Sequence, residues 1–229
     1  MNQTTFKQTK LTTPFGRAAF CALLKPSTKF NPDGDYNAKV ILPEGSETDA
    51  LIATLDAIYE AAYQTELAAQ RIDKPKLTDI KRGDKPFKRP VDEDTGEAMP
   101  GYVINSRLKR IHRNKAGEIT RENPAPTVVD SKGSLMRLAP GQGSIIRIQF
   151  LARGFFNPAK GLGVQLQLVG VQVKEFVPIG SVKAEFEELP DGFVETAKAS
   201  DPVEVMHAPE QGQGTLEAVV QADDQDTDW

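Results

Sequence analysis

Gly163-Val164-Gln165-Leu166-Gln167-Leu168-Val169-Gly170-Val171-Gln172-Val173-Lys174-Glu175-Phe176 is the stretch that decides the fold. Apolar side chains at every second place make a β-strand with one buried face. Val164, Leu166 and Leu168 share one face, whereas Val169, Val171 and Val173 have the opposite parity. A switch of parity beside Gly170 predicts a β-bulge, the device that bends strands in small closed barrels.

Working outward, Ser144 to Arg153 and Tyr102 to His112 read as further strands, with a short extended piece at Thr127-Val128-Val129. Gly16 to Leu24 is a strand ended by Pro26 and Ser27, and Tyr36 to Leu42 is another, closed by Pro43. Asn31-Pro32-Asp33-Gly34-Asp35 between them is a turn by its chemistry, so the two pair as a wide hairpin. Ser46 and Thr48 offer amino-terminal caps, and Leu51, Leu55, Ile58 and Ala62 recur at helical spacing through to about Ile72. Pro75, Pro86, Pro90 and Pro100, with Gly83 and Gly96, make 73–100 a long, partly mobile loop. Five strands, one long helix and no parallel βαβ rhythm favour a small antiparallel barrel over a doubly wound sheet. After Pro178 the periodicity dissolves, and Ser200 to Trp229 is expected to be disordered.

The chain has 229 residues with 39% hydrophobic content, enough for a core, and no apolar run of membrane-spanning length. The polar amino terminus offers no signal-peptide segment, and a single cysteine, Cys21, excludes internal disulfides; a cytosolic setting fits. The formal charge of −4 is unevenly distributed. From Glu185 to Trp229 thirteen acids face one base, a balance of −12, and the rest carries 27 bases against 19 acids, a balance of +8. The chain is a basic body, about 1–180, with an acidic tail, 181–229.

Catalytic chemistry is absent from the pattern. Of the two histidines, His112 sits among bases and His207 lies in the tail, so neither makes a general base. No phosphate-cradling glycine loop appears, and Asp33 and Asp35 lack the twelve-residue loop of a calcium site. No metal site or cofactor is expected. A nuclease built on Asp92, Glu93 and Asp94 is disfavoured because metal nucleases hold their carboxylates on rigid elements.

The basic body carries a different signal. Tyr102 to Lys115 contains five bases and no acid, and on a strand Ile104 and Leu108 face one side while Arg107, Lys109 and Arg113 face the other. Alternate strand residues lie roughly 6.5 to 7 Å apart, so such a row can track an extended phosphate backbone. An ordinary solvated face gives the same pattern. Arg147 and Arg153 share a face of the next strand, which leads into Gly154-Phe155-Phe156-Asn157-Pro158-Ala159-Lys160. Aromatics at a loop tip beside cations are what base stacking requires. Phe30, Tyr36 and Phe87 are further aromatics near Lys29, Lys39, Lys85, Lys88 and Arg89. The chain ends Asp223-Asp224-Gln225-Asp226-Thr227-Asp228-Trp229, a run that can occupy a cationic groove or dock on another protein.

Several blocks in order resemble the single-stranded DNA-binding proteins of tailed bacteriophages. They are Lys25-Pro26 leading to Ile41-Leu42-Pro43; Tyr59-Glu60-Ala61-Ala62-Tyr63; Val128-Val129-Asp130-Ser131-Lys132-Gly133; Gly141-Gln142-Gly143-Ser144; Asn157 with Gly161; and Val164 to Leu168. The resemblance implies a mainly β protein, a five-stranded antiparallel OB-fold barrel with one long inserted helix at about 46–72 and a disordered acidic tail. It implies no enzyme but a protein that coats single-stranded DNA in phage replication and recombination, promotes annealing, and recruits the replication polymerase and other replisome proteins through its tail. The setting would be the cytoplasm of the infected host, and a homodimer is compatible with it. On this reading Arg107, Lys109, Arg113, Lys132, Arg147, Arg153 and Lys160 contact phosphates; Phe155, Phe156, Tyr36 and Tyr102 are the stacking candidates; and Asp223, Asp224, Asp226, Asp228 and Trp229 form the partner-binding tip. Phe156 stands where the family has a tryptophan, Gly154 where it has a tyrosine, and Trp229 where a phenylalanine is usual. The competing reading is a protein-interaction module of similar fold whose basic face holds acidic tails and never meets DNA.

Overall fold

The computed structural model describes residues 4–92 and 95–180, all within the first of the chain's two units, Met1–Lys183. The tail at 181–229, with Asp223, Asp224, Asp226, Asp228 and Trp229, lies outside the described residues, as do Glu93 and Asp94. In chain order the elements are β1 (Gln8–Thr12), β2 (Gly16–Ser27), β3 (Asp35–Leu42), α1 (Ser46–Asp73), β4 (Phe87–Lys88) and β5 (Tyr102–Lys109). They continue with β6 (Ile111–Arg113), β7 (Ile119–Glu122), β8 (Thr127–Val129), β9 (Ile145–Asn157) and β10 (Gly161–Glu175). Among the described residues the protein is mainly β with one long helix, and no helix there is long and apolar enough to cross a membrane.

Several boundaries differ from the sequence reading, each for a local reason. The strand expected from Tyr102 to His112 breaks at Arg110, whose N–H donates to the Gly34 carbonyl at 3.0 Å, and Ile111–Arg113 turns away to pair with β7. Pro26 does not end β2, because the register with β3 slips between Ala22 and Ser27 and the ladder asks for no donor there. The helix opens at Gly45 with no side-chain cap bond, so neither Ser46 nor Thr48 caps it. Within the 73–100 segment, Arg82 and Gly83 are tied to the rest of the fold: the Tyr59 hydroxyl donates to Gly83 O at 2.9 Å, and Arg82 bridges to Leu162.

β2 pairs with β3, β3 with β5, β5 with β10, β10 with β9, and β9 returns to β2 through Gly16↔Ile146 and Arg17↔Ile145. The pairings therefore run round a ring of five strands, with β1 added beside β9, β8 beside β10 and β4 beside β5. The ring is not wholly antiparallel. β5 and β10 run parallel at Gln167↔Arg107, because four intervening strands carry the chain across before β10 begins. The β9–β10 register shifts between Leu168 and Gly170, where the parity switch predicts a bulge. Leu162, Val164, Leu166 and Leu168 before the shift, and Val171 and Val173 after it, are all buried.

The core joins these residues to Ala38, Val40 and Leu42 of β3, Ile104 and Leu108 of β5, and Ile146, Ile148, Phe150 and Ala152 of β9. α1 packs on β9 and β10 with Leu51, Leu55, Tyr59, Ala62, Tyr63 and Leu67 buried. The approach is close at Gly154, where a Cβ would sit 2.5 Å from Ala62 Cβ and 2.9 Å from the Phe6 ring. A side chain there would drive helix and strand apart.

Gly154→Val is therefore expected to destabilise the protein by about 1–3 kcal/mol, the usual cost of overpacking, with Ala62→Gly in the same chain restoring part of the loss; the denaturant midpoint reads both. Burial pushes the Cys21 thiol up to about 12. A disulfide reagent at pH 8 should modify the native protein slowly and the unfolded chain at once.

Candidate nucleic-acid interface

The alternation that buries one side of each strand turns the other side to solvent. Asn37 and Lys39 of β3, Asn105, Arg107 and Lys109 of β5, Gln165 and Gln167 of β10, and Arg153 and Phe155 of β9 all occupy outward positions. Registers join them across strands: Asn37 lies beside Arg107, Arg107 beside Gln167, Lys39 beside Asn105, and Gln165 beside Arg153. Cations from β3, β5 and β9 thus share one continuous surface with amides, and there β10 contributes amides alone.

Phe155 and Phe156 stand on β9, not in the turn after it, so their side chains point to opposite sides. Phe156 packs against the core, and Phe155 is 39% exposed. Gly163 is the cross-strand partner of Phe155, and a Cβ on it would lie 2.8 Å from the ring. The ring is seated over a residue that has no side chain. The other two aromatics expected to stack are engaged elsewhere. Tyr36 is 6% exposed in the core and leaves no ring face for a base. Tyr102 meets the Phe87 ring edge-on at 5.8 Å and carries the Arg89 guanidinium 4.2 Å from its centroid.

The cations divide in the same way. Arg107 lies 2.6 Å from the buried Asp35 carboxylate yet remains 55% exposed at its side chain. Lys109, Arg153 and Lys160 are exposed, Lys160 in the turn between β9 and β10. Arg147, about 20 Å along β9 from Arg153 at ~3.3 Å per residue, donates to Gln172 Oε1 at 2.8 Å and lies 5.0 Å from the Phe15 centroid. Gln172 in turn donates to the Asp130 and Ser131 carbonyls at 3.1 and 3.2 Å, which places Arg147 near the turn carrying Lys132. Arg113 stands apart on β6, its guanidinium forked onto both Asp33 oxygens at 2.7–3.0 Å and donating also to Gly117 O at 2.8 Å. The Arg113 hydrogen bond holds the Asp33 carboxyl below its ordinary range.

Sequence reasoning missed Phe20, 48% exposed beside Lys39, and the outward amides Asn37, Asn105, Gln165 and Gln167. The signal was there for the glutamines, which alternate with Val164, Leu166 and Leu168, but uncharged polar residues on a strand read as solvent face. The side chains of Asn105, Gln165 and Gln167 have no hydrogen-bond partner among the described residues, where no group of three His, Cys, Asp or Glu side chains is placed to hold a metal either.

A surface of extended cations and amides with one seated aromatic is suited to an extended polyanion bearing flat rings. The family model of the bacteriophage T7 single-stranded DNA-binding protein matches residues 16–176. No curated protein gives a match. Among solved structures, gp2.5, the single-stranded DNA-binding protein encoded by bacteriophage T7, is similar at 22% identity and a TM-score of 0.60, covering 83% of this chain and 100% of its own. The C-terminally truncated single-stranded DNA-binding protein of bacteriophage Enc34 is similar at 14% identity and a TM-score of 0.51, covering 74% of this chain and 87% of its own. At these identities the structures establish likeness of fold, whereas the family match spans most of the sequence. The chain belongs to the family of the bacteriophage T7 single-stranded DNA-binding protein, a family of binding proteins rather than enzymes.

Proposed function

We propose that this chain binds single-stranded DNA, with little sequence preference, along the outward surface of β3, β5, β10 and β9. The observation that carries the reading is Phe155 seated over Gly163 on the face that also holds Arg153 and, across β10, Arg107. One ring face for a base and cations on both sides for its phosphates are the elements of a stacking platform in a charged groove. Arg107, Lys109, Arg153 and Lys160 contact phosphates beside Phe155, and Arg147 and Lys132 extend the path past the Gln172 link. The ring of strands is read as a five-stranded OB-type barrel, supported by its closed order and its single parallel contact.

The protein coats single-stranded DNA in phage replication and recombination in the host cytoplasm and promotes annealing. Its acidic tail recruits the replication polymerase and competes with DNA for the cationic face. The charge balance supports this, with thirteen acids against one base after Ala184.

With about six phosphate contacts, log affinity for an oligothymidine should fall against log salt with a slope of about −4. Indifference to salt, or equal binding of duplex DNA, would sink the reading. Phe155→Ala should cost about 1–3 kcal/mol of binding without changing that slope, and Gly163→Val should act in the same direction by displacing the ring. Deleting Asp223 to Trp229 should tighten DNA binding and abolish contact with the polymerase in a pull-down; a truncated chain that matches the full one in both assays would leave the tail without either role.

A further inference from the structure

We infer that Phe30 is a second base-stacking residue and that the Asp33–Arg113 ion pair holds it in place; this rests on the DNA-binding reading above. Phe30 is 89% exposed, more than any other large hydrophobic side chain among the described residues. A phenylalanine kept in water contributes nothing to a core, and the ring face away from Lys29 is open to a ligand that is itself flat and apolar. The Lys29 ammonium lies 5.4 Å from the Phe30 centroid, which puts a cation where the phosphate of a stacked nucleotide would need one.

The turn that carries this ring is held at many points. Gly34 N–H donates to Asn31 O at 2.8 Å, Asp33 N–H donates to Asn31 Oδ1 at 3.2 Å, and Asn31 Nδ2 donates to Asp35 Oδ1 at 3.0 Å. From outside the turn, Arg113 grips both Asp33 oxygens and Arg110 N–H donates to Gly34 O. The Arg113 fork faces Asp33 on one side and Gly117 O on the other, which makes it a positioning residue and not a phosphate contact.

The location completes the inference. Asp35 pairs with Lys109 and lies 2.6 Å from Arg107, so the Phe30 turn adjoins the carboxyl end of β5. Counting back along β10 from Gln167↔Arg107 brings Gly163, and Phe155 beside it, level with Val103 near the other end. Two exposed rings thus lie toward opposite ends of β5, with the roughly 20 Å from Val103 to Lys109 between those ends at ~3.3 Å per residue. That span lies within the ~4–16 nucleotides that one such fold covers.

The test titrates the full-length protein with oligothymidine over a range of salt. Phe30→Ala should weaken binding about five- to hundredfold at an unchanged salt slope, and Phe30→Trp should restore it. In a Trp229→Phe chain, the introduced tryptophan should lose fluorescence on binding. Asp33 supplies a test of sign. As a bare charge near the DNA path its removal would tighten binding, whereas as a positioning residue Asp33→Ala should weaken it. Arg113→Ala should weaken binding to the same degree with no change of slope, and the double variant should be no weaker than either single one. Unaltered affinity of Phe30→Ala, tighter binding by Asp33→Ala, or a slope reduced by about one in Arg113→Ala would overturn the proposal. If Phe155→Ala still weakens binding in those experiments, the DNA-binding reading stands without it; an unaltered chain that binds no single-stranded DNA removes both.

Discussion

The pairing of β9 with β10 is the constraint on which the rest of the structure depends. These are the two longest strands described, and apart from the β2–β3–β5 run, β4 beside β5 and the β6–β7 hairpin, every strand pairing is made to one of them: β1 and β2 to β9, β5 and β8 to β10. Their register decides which side chains face the core, and a slip of one residue would exchange buried leucines for glutamines along the whole of β10. The shift between Leu168 and Gly170 keeps both halves of the strand facing inward while the ring bends.

The same two strands fix the proposed binding surface, since whatever the alternation buries on one side it presents on the other. Two missing side chains on neighbouring strands make this work. Gly154 points inward and lets α1 come down onto the strand, and Gly163 leaves a seat for the outward ring of Phe155. Fold and site are therefore not separable modules here. The helix approach, the ring seat and the cationic row all follow from one register.

Acids within the basic body shape that surface as much as the bases do. Asp35 takes one side of Arg107 and leaves the other to solvent, which fixes the direction of the guanidinium at the cost of part of its charge. Asp33 takes Arg113 out of the cationic row altogether and ties the β2–β3 turn to the β6–β7 hairpin. Counting bases along a strand overstates the charge available to a ligand, because a fork held bidentately by a carboxylate presents little of it outward.

Much of the architecture was legible from periodicity. The five ring strands, the long helix, the wide β2–β3 hairpin and the bulge beside Gly170 all follow from where apolar residues recur, because burial of one face is a local demand repeated at every second or every third to fourth residue. β1 and β4 were not legible, since short edge strands with mixed polarity carry no period of their own and form only against an existing neighbour. The parallel join of β5 to β10 was equally hidden, for no local pattern records which distant strand lies alongside. At the site, the sequence by itself determined the kinds of residue, cations alternating with apolar side chains and aromatics nearby. Only the tertiary structure decided that Phe155 faces outward while Phe156 and Tyr36 do not, and that Arg107 keeps a free side while Arg113 is held by Asp33. Exposure and ion pairing depend on which atoms from far along the chain fill the neighbouring space, and strand register sets that.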